Sequence, residues 1–428
     1  MTITLHPDRL LGAVKPLHGV CNGPISMGGW TNMSDAYVEM GVPFVRLHDT
    51  DYPYPQQVDV PQIFRNFDAN PDDPAAYDFF LTDQFITAIH NAGTDIIYRL
   101  GTSIEHMPEK RWVHPPEPAK FAAVCEHIIR HYNEGWANGF TYNIRRWEIW
   151  NEPEDHDGER RCMWTGTKAQ YFALYDAVSK HLKAVFGGRI AVGGYAACGF
   201  AGLDADATPN RRKTLEYFHD FVDSIKANTC PLDFFSYHYY GTSPAAVRRD
   251  AAYAAEHLRA AGYESAELIV DEWNSSASTK ELGWITTQRG ARYVLDIMAA
   301  FADSPVAIAT YYDGQPHMPW CGLFNRLREK QKPFYAFCLY DRLYRLGTRI
   351  AVESDHSGTI LAASDGEKIG LLIVGGERDE RVTVQGFAGE VEAVILNETR
   401  DLAPIGGTRE ESAVCVDVPA GAVVYLAG

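Results

Sequence analysis

The feature of this sequence that most constrains its fold is an alternation of short apolar runs with helical patterns, repeated eight times in about 330 residues. The runs are apolar nearly throughout, which is typical of strands buried on both faces of a parallel sheet. Eight such units predict an α/β fold, the (β/α)8 TIM barrel, which typically takes about 250 residues. An open doubly wound sheet is the alternative, but the sequence lacks the glycine-rich phosphate loop of that fold. The predicted strands cover residues 16–23, 44–49, 95–100, 146–152, 190–193, 232–240, 267–272 and 306–312.

The pattern changes around Gly347. Short alternating segments separated by Gly, Asp and Pro turns follow, which predicts a C-terminal antiparallel β-sandwich. Residues 13–346 are therefore assigned to the barrel and residues 347–428 to an accessory sandwich domain. The strand-like residues 1–12 are expected to pair with the sandwich, because chain termini often lie close together.

Composition argues against several classes of function. The formal charge is −17, from 39 Lys and Arg against 56 Asp and Glu, so nucleic acid and anionic membranes are unlikely partners and a neutral substrate fits better. No apolar run approaches the roughly 18 residues that a membrane helix needs. The N-terminus lacks the basic start and apolar centre of a signal peptide, which indicates a cytoplasmic protein unless a leader has been removed. Eight scattered cysteines without a close pair indicate neither a disulfide framework nor a zinc site.

Two glutamates stand at the ends of predicted strands. Glu152 and Glu272 lie 120 residues apart, or three units of about 40, which places them on strands four and seven of a barrel whose strand ends meet at one face. A single glutamate of this kind is more often a helix cap or an ion pair. Two converging carboxylates are what glycoside hydrolysis requires, since one donates a proton to the leaving oxygen and the other attacks the anomeric carbon.

The segments around these glutamates resemble a known family. Residues 150–153 (Trp-Asn-Glu-Pro) and 270–274 (Val-Asp-Glu-Trp-Asn) look like the acid/base and nucleophile segments of clan A, the retaining glycosidases with catalytic glutamates on strands four and seven. Within this clan the chain is most similar to glycoside hydrolase family 39, the family of β-xylosidases and α-L-iduronidases. The other matching segments and the trailing sandwich extend the resemblance over nearly the whole chain; the segments are residues 46–48, 147–153, 193–194, 238–240 and 272–274.

The resemblance implies roles for individual residues. It implies that Glu152 is the acid/base, that Glu272 is the nucleophile and that Asn151 contacts the sugar 2-hydroxyl. It further implies that a tyrosine hydrogen-bonds the nucleophile and that two histidines hold sugar hydroxyls, namely Tyr240, His48 and His238.

Two departures from the family pattern fall on the expected pocket floor. Family members typically carry Phe after the nucleophile and a Trp in strand eight, whereas this chain has Trp273 and the sequence Tyr311-Tyr312-Asp313. Trp273 and Asp313 are predicted to contact the substrate, and Trp320 to supply the missing aromatic wall. These changes affect the expected identity of the sugar more than the expected reaction.

The sequence thus predicts a retaining glycosidase that cleaves a terminal sugar, with a β-xyloside as the expected substrate and with no cofactor or metal. The open alternatives are a β-glucoside, a β-galactoside, an α-L-arabinoside, a uronide, or a non-catalytic carbohydrate-binding protein. A retaining mechanism requires the two carboxyl groups to lie about 5–5.5 Å apart. The polar residues 154–157 are expected to form a solvated loop and not a metal site.

Three local expectations can be compared with a structure. Because neighbouring strand residues point to opposite faces, Asn151 and Glu152 reach one pocket only if the backbone before Pro153 is irregular. Glu148 is expected to form a structural ion pair deeper in its strand, and Asp271 to face the helix layer. The loop tryptophans Trp112, Trp164 and Trp320 are candidates for stacking on a sugar.

Overall fold

The computed structural model of the chain describes residues 1–50, 57–103, 117–154, 156–157, 160–161, 163–276, 282–316, 321–410 and 413–428. The predicted Trp112 and Trp320 contacts lie outside these residues. Within them, no helix is long and apolar enough to cross a bilayer.

Eight parallel strands close into a barrel, which confirms the fold class. Strand β1 (Thr2–Ala13) belongs to a second sheet, and the barrel strands follow it in the chain. They are β2 (Gly19–Cys21), β3 (Phe44–Leu47), β4 (Asp95–Leu100), β5 (Arg146–Ile149), β6 (Ala191–Ala197), β7 (Phe234–Tyr240), β8 (Glu267–Asn274) and β9 (Val306–Tyr311). They pair in the order β6-β7-β8-β9-β2-β3-β4-β5, and pairing of β5 with β6 closes the ring.

Helices surround the barrel. They are α1 (Ser34–Met40), α2 (Val60–Ile63), α3 (Phe80–Asn91), α4 (Pro118–Glu134), α5 (Lys168–Phe186), α6 (Pro209–Ala227), α7 (Pro244–Ala261), α8 (Leu282–Ile285), α9 (Gln288–Ala302) and α10 (Lys332–Leu346). The apolar face of α4, from Phe121 to Tyr132, is buried. Local signals fix helix ends, because α5 begins at a capping box of Thr167 and Gln170, and α4 ends at Gly135 in the left-handed conformation.

The second sheet has ten strands. Its other members are β10 (Thr348–Ser354), β11 (Ile360–Ser364), β12 (Ile369–Val374), β13 (Glu380–Gln385), β14 (Glu392–Leu396), β15 (Ala403–Pro404), β16 (Thr408–Glu410), β17 (Ala413–Val418) and β18 (Val423–Ala427). The order is β15-β14-β18-β12-β11-β10-β1-β13-β17-β16, and the sheet has its own apolar core. Strand β1 pairs antiparallel with β10 and parallel with β13, so the N-terminal segment joins this sheet as expected.

Several element boundaries differ from the predicted ones. The fourth barrel strand ends at Ile149 instead of residue 152, and the fifth continues to Ala197 instead of ending at residue 193. Helix α6 begins at Pro209 because Thr208 caps it by accepting from the Arg211 N–H. Two-residue strand pairs also form, at Ile25–Ser26 with Thr31–Asn32 and at His156–Asp157 with Arg160–Arg161.

Replacing Ile3 tests how far the second sheet depends on the N-terminal strand. Ile3 is fully buried in the core of that sheet, between β10 and β13. We expect Ile3→Ala to lower the free energy of unfolding by about 2 to 5 kcal/mol, the range for a buried isoleucine, as measured by urea denaturation. Leu10→Ala, at a 66% exposed position of the same strand, is the control and should change it by less than about 0.5 kcal/mol. Equal effects of both variants would show that β1 adds little to this core.

Candidate active site

Glu272 lies near the end of β8, where it is only 7% exposed. Its Oε1 accepts a hydrogen bond from the Tyr240 hydroxyl, and its Oε2 lies 3.0 Å from Nη1 of Arg46. Burial raises the pKa of Glu272, while the charges of His238 and Arg46 and the Tyr240 hydrogen bond favour the ionised carboxylate and oppose this shift. The structure therefore contains the contact between Tyr240 and Glu272 that the family resemblance implies.

Glu152 follows the end of β5 on an irregular segment. Trp150 and Glu152 have φ angles of 74° and 41°, which residues other than glycine rarely adopt. The segment stays attached to both neighbouring strands, because the Trp150 N–H donates to Leu100 O (2.9 Å) and the Glu152 N–H donates to Ala196 O (3.1 Å). The expected irregularity before Pro153 is confirmed.

His238, on β7, connects the two glutamates. Its Nδ1 lies 2.6 Å from Oε1 of Glu152, and its Nε2 lies 3.7 Å from Oε2 of Glu272. Burial lowers the pKa of this imidazole, but the surrounding carboxylates of Glu272, Glu152 and Asp271 raise it by more, and the pKa ends well above its ordinary value. The buried ring is therefore an imidazolium at neutral pH, with a carboxyl group next to each of its nitrogens.

Arg46, on β3, lies beneath this group and is completely buried. Its Nε and Nη2 lie 2.9 and 2.8 Å from Oε2 of Glu148, and its Nη2 donates to Oδ1 of Asn151 at 2.5 Å. Its Nε also lies 3.1 Å from Oδ2 of Asp271. One guanidinium thus contacts residues of both β5 and β8. The ion pair expected for Glu148 is confirmed, with Arg46 as its partner.

The prediction that Asp271 faces the helix layer is wrong. Tyr237 pairs with Val270, but the next residue of β7, His238, pairs with Glu272, so Asp271 is skipped in the register. This bulge places both Asp271 and Glu272 on the side of Arg46 and His238.

Asp271 and Glu148 form a carboxyl pair of unequal acidity. Burial raises the pKa of Glu148 to about 8 against the opposing charge of Arg46. Burial also acts to raise the pKa of Asp271, but Arg46 and His238 outweigh it and the pKa is lowered. Glu148 therefore holds the proton of this pair at neutral pH.

The prediction that Trp273 contacts the substrate is also wrong. Its side chain has no exposed surface and packs against Tyr293, Phe301 and Tyr311, with ring centroids 4.8 to 6.1 Å apart. Two of these residues belong to α9, so Trp273 faces the helix layer. Alternation explains this position, because Glu272 faces the barrel interior and the next side chain therefore points outward.

His48 and Asp313 lie just beyond the ends of β3 and β9, the two strands that flank β2, and both approach Asn22. The His48 N–H donates to Oδ1 of Asn22 at 3.2 Å, and Nδ2 of Asn22 donates to Oδ2 of Asp313 at 3.3 Å. His48 Nε2 lies 3.4 Å from Oδ1 of Asp49. Burial raises the pKa of Asp313 to about 7, against hydrogen bonds from the Gln315 N–H and Asn22. These residues form a second polar group at the carboxyl ends of β2, β3 and β9.

Glu154, the first residue of the expected solvated loop, is buried instead, whereas Asp155 lies outside the described residues. Glu154 is only 3% exposed, and its Oε1 accepts from the Cys198 N–H at 2.7 Å. Trp164, one of the predicted stacking residues, is buried edge-on against Trp150. Among the described residues no group of three or more His, Cys, Asp or Glu side chains is arranged to hold a metal ion.

Sequence reasoning missed Arg46 and Asn22 as parts of this site. Arg46 is a charged residue in the middle of an otherwise apolar strand and has the same parity as His48, so the alternation already placed it facing the barrel interior. Asn22 carried a weaker signal, since it follows a short strand and its φ of 66° is visible only in the structure.

Comparisons with known proteins agree with this geometry. The family model described as glycosyl hydrolases family 39 matches residues 19–313, which is more than half of the chain. A glucosidase from Croceicoccus marinus has a similar fold, with 20% identity and a TM-score of 0.81 over 100% of this chain and 98% of that chain. A monomeric β-xylosidase from Caulobacter crescentus CB15 has 17% identity and a TM-score of 0.76 over 100% and 99%. No curated protein matches the sequence.

Replacing Glu148 by glutamine tests whether this carboxyl is protonated in the folded protein. A folded-state pKa raised to about 8 means that the native chain holds a proton that the unfolded chain releases above the ordinary glutamate pKa of about 4.5. This contribution to stability is fully present below pH 4.5 and is lost as the pH rises to 8. Glu148→Gln removes it, so the free energy of unfolding of the variant minus that of the wild type should increase from pH 5 to pH 8.

Urea denaturation at pH 5, 6.5 and 8 measures this difference. Glu377→Gln, which removes a carboxyl at an exposed position, is the matched control. A difference for Glu148→Gln that stays constant across the range contradicts the protonated state.

Proposed function

Since the chain belongs to glycosyl hydrolases family 39 and is a glycoside hydrolase, we propose that it releases a terminal sugar with retention of configuration, through a covalent intermediate on Glu272, and that its substrate is a β-xyloside. The observation that carries this proposal is the arrangement of Glu152 and Glu272 on opposite nitrogens of His238 at the carboxyl ends of the barrel strands. Both roles of the two-carboxylate mechanism are then filled within one buried cluster.

Glu272 acts as the nucleophile. Its Oε1 is held by the Tyr240 hydroxyl and its Oε2 by Arg46, so the carboxylate is fixed in orientation before the substrate binds. The same contacts favour the ionised form that must attack the anomeric carbon. Attack forms the bond from a Glu272 oxygen to this carbon as the bond to the leaving oxygen breaks.

Glu152 acts as the acid and then as the base. It gives a proton to the leaving oxygen, and the carboxylate that results lies 2.6 Å from the imidazolium of His238, which stabilises its charge. In the second step Glu152 takes a proton from water, and the water oxygen attacks the anomeric carbon and releases Glu272. The mechanism requires the two carboxyl groups to lie about 5–5.5 Å apart.

Asn151, His48 and Asp313 are proposed to bind the sugar. Asn151 Oδ1 accepts from Arg46, whereas its Nδ2 has no hydrogen-bond partner in the part of the chain that the structure describes. This buried donor is suited to a sugar hydroxyl, in agreement with the 2-hydroxyl contact that the resemblance implies. His48 and Asp313 belong to the polar group around Asn22 and are assigned to other hydroxyls.

The choice of sugar remains part of the proposal. One similar structure is described as a β-xylosidase and another as a glucosidase, and xylose differs from glucose by one hydroxymethyl group. Arg99, one candidate to hold the carboxylate of a uronide, pairs with Asp59 at 2.6 Å through Nη2. The other candidate, Arg289, lies over the ring of Trp284. A cytoplasmic location, expected from the N-terminal sequence, stays a prediction.

Replacing Glu272 tests the nucleophile. We expect Glu272→Ala to reduce hydrolysis of an activated aryl glycoside to near background, because no group is left to form the intermediate. Azide should restore part of the activity by filling the space of the lost carboxylate, and its product should be a glycosyl azide of inverted configuration. Glu267→Ala, at the other end of β8, is the control and should remain active. Wild-type-like activity of Glu272→Ala would exclude this role.

Replacing Glu152 tests the acid. Glu152→Ala should lower kcat/KM by about 10²- to 10⁴-fold on a substrate with a poor leaving group, because general acid catalysis contributes that much. With a dinitrophenyl leaving group, which needs no proton, formation of the intermediate should be affected far less. The slope of rate against leaving-group pKa, measured for wild type and variant, checks this. An equal loss on all leaving groups contradicts an acid role.

A panel of nitrophenyl glycosides tests the sugar. We expect the highest kcat/KM on the β-xyloside, with the β-glucoside, β-galactoside, α-L-arabinoside and a β-glucuronide as comparisons. A higher kcat/KM on any of these comparison glycosides contradicts the proposed substrate but not the proposed mechanism.

A further inference from the structure

A cavity of about 640 Å³ lies beside the active-site cluster and is separate from it. Its walls come from the segment directly after Glu152, from Trp164 and from the first turns of α5 and α6. Glu152, His238 and Glu272 are not among the residues that line this cavity. Its volume falls in the range of about 300 to 1,000 Å³ that is usual for small-molecule sites.

Two buried polar groups of the cavity lining have unused hydrogen-bonding capacity. Oε2 of Glu154 and the hydroxyl of Tyr217 are each without a hydrogen-bond partner among the residues that the structure describes. Both side chains are more than nine-tenths buried, Glu154 being 3% and Tyr217 7% exposed. Buried polar groups are normally paired, so two unpaired ones in the same cavity indicate a ligand that supplies the missing partners.

The rest of the lining carries positive potential. Lys168, Arg211 and Lys213 lie on the cavity walls, against the single exposed carboxylate of Glu216. Lys168 is paired with Asp220, outside the lining, so Arg211 and Lys213 are the cations more available to a ligand. The amino ends of two 19-residue helices, α5 and α6, add their positive dipole ends. In a chain with a net charge of −17 this is a local reversal of sign.

We propose that this cavity is a second binding site, for a small molecule that carries an oxyanion, either a carboxylate or a phosphate group. Arg211 and Lys213 pair with the oxyanion at the mouth of the cavity, and Glu154 and Tyr217 bond to the part that enters it. Trp164 and Tyr217 provide apolar walls suited to a sugar ring. The probes of choice are therefore acidic monosaccharides.

The protonation state of Glu154 makes this site sensitive to pH. Burial raises the pKa of Glu154 to about 8; the Cys198 N–H opposes this shift, the charge of Glu152 adds to it, and His238 opposes it. The groups that face Glu154 from the surrounding elements are Tyr171 on α5, Tyr195 on β6 and Tyr217 on α6, and the nearest cationic walls are Lys168, Arg211 and Lys213. Below pH 8 the protonated carboxyl donates to the ligand, and above it a carboxylate repels the oxyanion.

Isothermal titration calorimetry on the full chain tests the site. The probes are glucose 6-phosphate, glucuronate, inorganic phosphate and neutral glucose, each at pH 6.5 and pH 9. We expect at least one acidic sugar to bind with a stoichiometry of one at pH 6.5 and more weakly at pH 9, and glucose not to bind. If inorganic phosphate binds as tightly as glucose 6-phosphate, the site recognises the oxyanion alone. If inorganic phosphate binds more weakly, the sugar contributes to the affinity.

Variants locate the binding. Arg211→Ala and Lys213→Ala, both at exposed positions, should each weaken it by about tenfold or more, as expected for a charge-assisted hydrogen bond. Lys226→Ala, at the far end of α6, is the matched control and should bind like the wild type. Glu154→Gln should keep the binding at pH 6.5 and lose the weakening at pH 9.

The proposal is overturned if no acidic probe binds, if glucose binds as well as its acidic counterparts, or if Arg211→Ala and Lys213→Ala bind like the Lys226 control. Weakening at pH 9 that persists in Glu154→Gln would show that Glu154 does not control the site. The comparison of Arg211→Ala and Lys213→Ala with the Lys226 control does not depend on glycosidase activity, so failure of the proposed substrate and failure of this site are separate results.

Discussion

The burial of one guanidinium is the constraint on which the active-site cluster depends. Arg46 is completely inside the barrel, and it contacts Glu148 and Asn151 from β5 together with Asp271 and Glu272 from β8. Removing one partner of such a pair leaves an uncompensated buried charge, which costs roughly 3–5 kcal/mol. The contacts that make the buried cation tolerable therefore also hold together β5 and β8, the strands at whose ends the two proposed catalytic glutamates lie.

Irregular backbone geometry at the ends of two strands also positions the side chains of the cluster. A regular strand offers only every second side chain to the barrel interior, yet two adjacent residues are needed at each of two strand ends. Asn151 and Glu152 achieve this by positive φ angles after Ile149, and Asp271 and Glu272 by a shift in register against β7. The cluster that results has two cations, Arg46 and His238, among four carboxyl groups, and its charge is reduced because Glu148 keeps its proton.

The sequence predicts the parts of this protein that depend on periodicity. Eight apolar runs between helical patterns predict the barrel, and Glu152 and Glu272 stand out because their spacing matches whole units. The same reasoning fails where a bulge changes parity, because alternation places Asp271 outward whereas the structure turns it toward Arg46. Trp273, predicted to contact the substrate because it departs from the family pattern, packs in the helix layer instead. Sequence reasoning fails also for Glu154, because burial of a charged residue in a loop depends on distant elements, here Cys198 and the start of α6, that no local pattern records.

Covalent trapping tests the central claim most directly. The enzyme is incubated with the 2-deoxy-2-fluoro analogue of its best aryl glycoside, which slows hydrolysis of the intermediate more than its formation, and the labelled protein is digested and mapped by mass spectrometry. The account predicts one fluoroglycosyl group per chain, attached as an ester to Glu272. A label on any other residue, or release of the sugar with inverted configuration and no labelled protein, would contradict it.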